Sequence, residues 1–235
     1  MTHKSDWQPE TVELQPSGLL SDQAYARVLE ALFDKRLPAG AFVSQHDLVQ
    51  LLGIPVAPLR DALRVLEAEG ILTIHPRSGI QFIKPGAELT TSTYQFRTII
   101  ERAAVRVFAE MADDDLIARI RNRHLEVALD LENAGISPRI VKELNELETL
   151  LHHSTIAVMR NPLIETTYRR MHNYLRLVRL ERRLTVPVAR RTIREHLEVI
   201  SAIEERNPDA AEAALVGHFK SALQHHLQHH LGMFA

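Results

Sequence analysis

Cysteine is absent from the 235 residues. That excludes disulfides, thiolate metal ligands and a cysteine nucleophile, and it fits a reducing, cytoplasmic setting. No apolar run approaches the roughly 18 residues that mark a membrane-spanning helix. No basic segment followed by an apolar core marks a secretory signal, so a cytoplasmic protein with no membrane partner is expected. A general positive charge is missing as well. The formal net charge is −2 with histidine neutral, and acids outnumber bases within residues 1–85. Any nucleic-acid contact must therefore come from locally placed cations rather than from a positive field. There is no HExxH, no Gly-rich phosphate loop and no GxSxG, and no internal repeat. These absences argue against an enzyme of the common hydrolase or nucleotide-using classes.

What is present is a globular composition, with 45% hydrophobic and 25% charged residues, in a chain long enough for two domains. The most ordered pattern runs from Leu48 to Phe82. Leu59, Ala62, Leu63 and Leu66 recur at helical spacing, opposite Arg60, Asp61, Arg64 and Glu67. Gly70 closes that helix. Ile71–His75 and Ile80–Lys84 read as strands around the turn Pro76-Arg77-Ser78-Gly79. Upstream, Ser21 reads as the N-cap of a helix with an Ala24, Val28, Leu29, Leu32 and Phe33 stripe, ending near Leu37-Pro38-Ala39-Gly40. Ser44 starts the next helix, with Asp47 as its capping-box partner, and Gly53 makes the turn. This order is a winged helix-turn-helix over residues 19–84, preceded by a mobile arm over 1–18.

Such a unit places its second helix in the major groove. Val56, Ala57 and Arg60 stand at the start of that helix, and Arg60 alone among them can form a bidentate contact with guanine. Arg64 reaches a base or a phosphate. Ser44, Gln45 and His46 offer backbone N–H groups to a phosphate, and Arg77, with Gly79 beside it, forms the wing tip. The alternative is that Arg60 and Arg64 only solvate a helix face.

The run Pro58-Leu59-Arg60-Asp61-Ala62-Leu63, then Leu66 through Leu72 and Pro76-Arg77-Ser78-Gly79, resembles the DNA-binding domain of the GntR family of bacterial transcription regulators. The resemblance implies a homodimer on a palindromic operator in double-stranded DNA. Where that family usually carries Ser-Arg-Thr before the proline, this chain has Pro55-Val56-Ala57. The substitution implies weaker phosphate anchoring or an altered base preference.

Beyond a linker over 85–91 no strand pattern remains, and five or six helices follow over 92–235. One runs from about Ser92 to Met111 and another from Asp113 to Gly135. Ser137-Pro138, Asn161-Pro162 and Asn207-Pro208 each pair an N-cap with a proline at the first helical position, and Thr185-Val186-Pro187 breaks the stretch between the last two. The fold class is mostly α: a winged helix-turn-helix plus an all-α antiparallel bundle. Thirteen histidines are spread along the chain. Glu148 and His152, four apart, share a helical face, and His196 and His218 lie on two later helices. A bundle can point such groups inward around a divalent metal; this donor set suits zinc, with nickel or manganese also compatible. Each histidine taken singly reads as a surface or hydrogen-bonded core residue. His225, His226, His229 and His230 read as a solvated helix end, and Arg182-Arg183 and Arg190-Arg191 as an exposed charged face.

The segments Leu151-His152 with Asn161-Pro162, Glu195-His196-Leu197 with Ala202-Ile203, and Asp209, Ala210 and His218 are similar to the FCD domain. That is the effector domain of the FadR-like branch of GntR regulators. The similarity implies a bundle of six or seven helices and a metal held by an Asp four residues before a His and by two further His. His152, His196 and His218 match, and Glu148 stands at the Asp position. It also implies that Arg97, with Glu101 four residues on, faces a cavity and pairs with a small carboxylate effector, with Asn173 and Arg176 lining the same space. The competing reading is an intrahelical Arg97–Glu101 pair. The expected function is an effector-controlled transcription regulator. The alternatives are a regulator for which the metal is the signal, and a metal-dependent enzyme on a helical bundle.

Overall fold

In the computed structural model the described residues are 17–180 and 184–232, with side chains described over 20–180 and 184–228. The expected arm lies outside them, apart from Ser17 and Gly18, as do Arg182-Arg183 and the side chains of His229 and His230. The chain divides into two compact units between Lys84 and Pro85.

The first unit holds α1 (Ser17–Phe33), β1 (Phe42–Val43), α2 (Gln45–Leu52), α3 (Val56–Ala68), β2 (Leu72–His75) and β3 (Gly79–Phe82). The first helix begins one turn earlier than Ser21, which therefore sits inside it; nothing in Gly18-Leu19-Leu20 breaks a helix as a proline would. It stops at Phe33, where Lys35 takes a left-handed conformation, φ 59°, and Leu37 donates back to the Ala31 carbonyl at 2.8 Å. Ser44 and Asp47 form the capping box in both directions, and Gly53 closes α2 in the left-handed region. Leu59, Ala62, Leu63 and Leu66 of α3 are buried as their spacing predicts. Ala24, Val28, Leu32, Leu48, Ile71 and Phe82 are buried as well, and α3 packs on α1, α2 and β2.

The sheet order is β1-β3-β2, all antiparallel. The two-residue strand β1 escapes sequence reading because two residues carry no alternation. It sets a steric rule on the wing. A Cβ on Gly79 would lie 2.8 Å from the Phe42 ring and 2.9 Å from the Val43 carbonyl oxygen. Glu67 bonds the Ile74 N–H at 2.7 Å, so this α3 carboxylate ties the recognition helix to the wing.

The second unit holds α4 (Ala87–Met111), α5 (Asp114–Ala134), α6 (Pro138–Ala157), α7 (Pro162–Leu180), α8 (Val186–Glu204) and α9 (Pro208–Gly232). Ser137, Asn161 and Asn207 cap α6, α7 and α9 through side-chain oxygens, as their positions before proline predict. The linker expected over 85–91 shrinks to Pro85-Gly86. The threonine-rich start reads as non-helical, yet Thr90, Thr91 and Thr93 each donate to the carbonyl four residues back, which satisfies their hydroxyls within the helix. In the bundle α4 packs on α9, α7, α6 and α8, and α8 packs on α9 and α5. One core gathers Tyr94, Phe108, Leu151, Tyr168, Val199 and Phe219. A second gathers Val127, Leu131, Ile140, Leu147 and Ile193.

Candidate functional site

The bundle buries an unusual set of polar groups. Glu148 and His152 come from α6, His196 from α8 and His218 from α9, and one ligand atom from each lies within 4.8 Å of the others. The i, i+4 spacing puts the first two on one face, and the flanking apolar residues Leu147, Leu151, Val199, Ile200 and Phe219 turn that face and its counterparts inward.

Hydrogen bonds fix each imidazole. His152 donates through Nδ1 to Glu101 Oε2 at 2.6 Å, and His218 through Nδ1 to Glu195 Oε2 at 2.9 Å. His124 on α5 lies 2.7 Å from the Ile120 carbonyl through Nδ1, and its Nε2 lies 3.0 Å from His196 Nδ1. A carbonyl only accepts, so His124 Nδ1 carries the proton, and the His196 Nδ1–H donates to His124 Nε2. Each of the three histidines thus has its Nε2 lone pair left over, and all three Nε2 atoms are buried without a hydrogen-bond partner. Buried polar atoms are seldom left this way. Three of them converging beside a carboxylate is the donor set of a divalent transition-metal site, with the opposite ring nitrogens held as such sites require. The residues fit the expected ion.

Burial, followed by the positive charge of Arg97, lowers the His152 pKa to about 3. Burial, followed by His196, lowers that of His124 to about 4. Burial also lowers that of His196, so His152 and His196 are held in the neutral form that a metal ligand needs. Burial on its own raises Glu148, but Arg179 and His196 outweigh it and hold the carboxyl well below the usual range.

Arg97 is fully buried on α4. Its Nε donates to Glu101 Oε1 at 2.6 Å, so the intrahelical pair is formed. Nη1 and Nη2 have no hydrogen-bond partner. The guanidinium lies over the Phe219 ring, 4.4 Å from its centroid, and Nη2 is 3.6 Å from Glu148 Oε2. Tyr168 donates to Glu101 Oε1 at 3.1 Å. Burial raises Glu101, but Arg97 and His152 overcome it and bring the pKa to about 2.

Asn173 is buried. Arg176 is not brought to the cluster: it is exposed. The arginine of α7 that reaches inward is Arg179, whose Nη2 donates to Glu148 Oε2 at 2.6 Å. Continuing the buried stripe Tyr168, Met171, Leu175 by one turn lands on 179. Glu101, His124, Arg179 and Glu195 are the cluster members the sequence reading did not assign to it. The tail also differs from expectation, since His226 is buried against the Tyr94 ring, 5.7 Å between centroids. Arg190 forms an exposed two-bond pair with Glu132.

On the winged unit Arg60, Arg64 and Arg77 are exposed. Arg77 holds the wing tip in a left-handed conformation, φ 64°. Val56 is 46% exposed at the start of α3, where Pro55 supplies no side-chain cap. Ser44 is committed to its capping box: its N–H and hydroxyl both meet Asp47 Oδ2. The N–H groups of Gln45 and His46 in the first turn are left for an outside acceptor.

A winged helix-turn-helix and a helical bundle with a buried polar centre, carried on one chain, define a class of DNA-binding regulator. Residues 20–82 match the family of bacterial regulatory proteins called gntR, and residues 92–221 match the FCD domain. The chain belongs to the GntR family, with an FCD domain, and is a DNA-binding transcription regulator rather than an enzyme. The HTH-type transcriptional regulator YdhC of Bacillus subtilis is 21% identical over 86% of this chain and 89% of its own length. The structure of E. coli McbR/YncC superposes with a TM-score of 0.72 at 16% identity, over 89% of this chain and 97% of that one. The Zn2+-bound FCD domain of TM0439 has a TM-score of 0.51 at 22% identity, over 61% of this chain and 94% of its own. At these identities the likeness to the solved structures shows the fold.

Proposed function

We propose that this regulator binds a palindromic operator as a homodimer in the cytoplasm, and that a small carboxylate effector bound beside a divalent metal in the bundle controls its affinity. In this reading residues 19–84 read DNA and the bundle from Pro85 onward senses the effector. Arg60 reads a base, Val56 and Ala57 offer methyl groups to thymine, and Arg64, Arg77 and the backbone N–H groups of Gln45 and His46, at the helix start that Ser44 caps, hold phosphates. Gly79 lets the wing turn against Phe42.

Glu148, His152, His196 and His218 hold the metal. Zinc is the first candidate, on the donor set and on the zinc-bound FCD domain of TM0439; nickel and manganese accept the same ligands. When bound, the ion supplies a Lewis-acidic anchor for a carboxylate. Arg97 supplies two unused N–H-bearing nitrogens to that carboxylate, and Asn173 lines the space. The observation that carries this reading is the convergence of three unpartnered Nε2 atoms on Glu148.

The effector acts only if it prefers one arrangement of the two DNA-reading heads. The test is operator binding by fluorescence anisotropy, using DNA upstream of the protein's own gene. Specific binding that shifts on adding a carboxylate, and only in metal-loaded protein, is the expected result. Binding that responds to a chelator and to no carboxylate makes the metal itself the signal. Absence of DNA binding at low salt removes the reading.

A further inference from the structure

The charges around the metal ligands cancel. Two guanidinium groups, Arg97 and Arg179, face two carboxylates, Glu101 and Glu148. At the rim, Glu195 lies 3.6 Å from Arg191. Each surrounding imidazole donates from Nδ1, which leaves Nε2 of His152, His196 and His218 to an ion, and an imidazole that ligates an ion is neutral. The arginines and carboxylates of the centre therefore balance without the ion. An uncompensated charge in such a place is strongly unfavourable.

The balance has a particular geometry. Glu148 Oε2 lies 2.6 Å from Arg179 Nη2, 3.6 Å from Arg97 Nη2 and 3.5 Å from His152 Nε2. One carboxylate oxygen is thus the meeting point of both arginines and of a metal-ligand nitrogen. Around it, Arg97 Nη1 and Nη2 and Arg179 Nε have no hydrogen-bond partner. Glu148 fills the position between two guanidinium groups that an incoming carboxylate needs, and Arg179 holds the carboxylate that a divalent ion needs.

We propose that Arg179 is a second anchor for the effector, that Glu148 occupies its place as an internal carboxylate in the metal-free protein, and that the effector is a small dicarboxylate bound together with the metal. This rests on the metal reading above. A divalent ion adds two positive charges to a neutral centre, and a dianion restores the balance where a monoanion leaves one charge over. The unused nitrogens of Arg97 and Arg179 give that dianion donors the protein does not otherwise satisfy. Metal and dicarboxylate therefore strengthen each other's binding, and by linkage the factor is the same in both directions.

The experiment is a calorimetric titration of Zn2+ into metal-stripped full-length protein, alone and with acetate or each straight-chain dicarboxylate from malonate to adipate. Ionic strength is matched and zinc binding by the free acids is subtracted. Wild type is expected to bind zinc at least about tenfold more tightly with one of the dicarboxylates, and to gain less from acetate. Arg179→Gln leaves the centre one charge negative and releases Glu148. It is expected to bind zinc about tenfold more tightly than wild type without any anion, and to lose the dicarboxylate effect. Arg179→Lys keeps the charge and is expected to retain the dicarboxylate effect; melting curves check that both variants fold. The inference is overturned if Arg179→Gln binds zinc no more tightly than wild type, or if no dicarboxylate outperforms acetate. No zinc binding by either protein under any condition overturns the metal reading instead.

Discussion

His196 donates its Nδ1–H to His124 Nε2 at 3.0 Å, and His124 donates its own Nδ1–H to the Ile120 carbonyl at 2.7 Å. This two-step relay from α8 to the backbone of α5 leaves His196 one tautomer, with Nε2 directed at Glu148 at 3.6 Å. His152 and His218 are held instead by the carboxylates Glu101 and Glu195. A carboxylate makes an imidazole more basic; a neutral imidazole mainly orients it.

Replacing His124 by Phe removes the acceptor and keeps the ring volume. His196 then loses the bond that fixes its tautomer, and zinc affinity is expected to fall about 10- to 100-fold, the usual cost of losing such a partner. Competition against a fluorescent zinc chelator measures it, with the melting curve of metal-free protein as a control for folding. Unchanged zinc affinity would show that His196 needs no help from α5.

The parts legible in the sequence were those written locally. Ser137, Asn161 and Asn207 each precede a proline, and the helices start there. The histidines at 152, 196 and 218 do gather with Glu148. What was not legible depends on tertiary contact or helix phase. His124 is alone on α5, and no spacing marks it out. Arg176 and Arg179 differ by three residues, so only the phase of α7 distinguishes the exposed one from the buried one. The threonine run of α4 conceals a helix start because the propensity that argues against it is answered by hydroxyl bonds to the preceding turn.

Gly79→Ala is expected to destabilise the winged unit by about 1–3 kcal/mol, the usual range for forcing an atom into a packed site. The added carbon meets the Phe42 ring at 2.8 Å and the Val43 carbonyl oxygen at 2.9 Å. Adding Phe42→Ala relieves the ring contact and not the carbonyl, so the double variant should recover only part of the loss. Denaturant titration of the four proteins in the cycle measures this. Full recovery would place the whole clash on the ring.

Arg60 and Arg64 are both exposed on α3, and among the described residues neither guanidinium has an ion-pair partner. They are therefore available to DNA. Arg60→Ala is expected to cost about 1–3 kcal/mol in operator affinity and to relax preference at one base pair. Arg64→Ala, if it holds a phosphate, lowers affinity equally for all sequences and reduces the salt slope by about one. Anisotropy titrations against single-base operator variants over a range of salt concentrations separate the two. A uniform loss for Arg60→Ala would make it a phosphate contact as well.

His172 on α7 packs edge-on against His153, 4.6 Å between ring centroids. Its pKa is lowered to about 3, first by burial and then by His153 and Arg179. In the unfolded chain it titrates near 6.5. Above that pH both states are neutral here and the group has no effect on stability. Between about 6.5 and 3 the unfolded chain binds a proton that the folded chain refuses, so stability falls as the pH falls. The loss from this one group approaches about 1.4 kcal/mol per pH unit in the middle of that window. His172→Phe keeps an aromatic ring there and cannot bind the proton. The difference between wild type and variant in metal-free denaturation is therefore expected to be flat above about pH 7 and to grow in favour of the variant as pH drops. A difference that does not change with pH would mean that His172 is protonated equally in both states, and that its environment is wetter than its packing against His153 and Tyr168 implies.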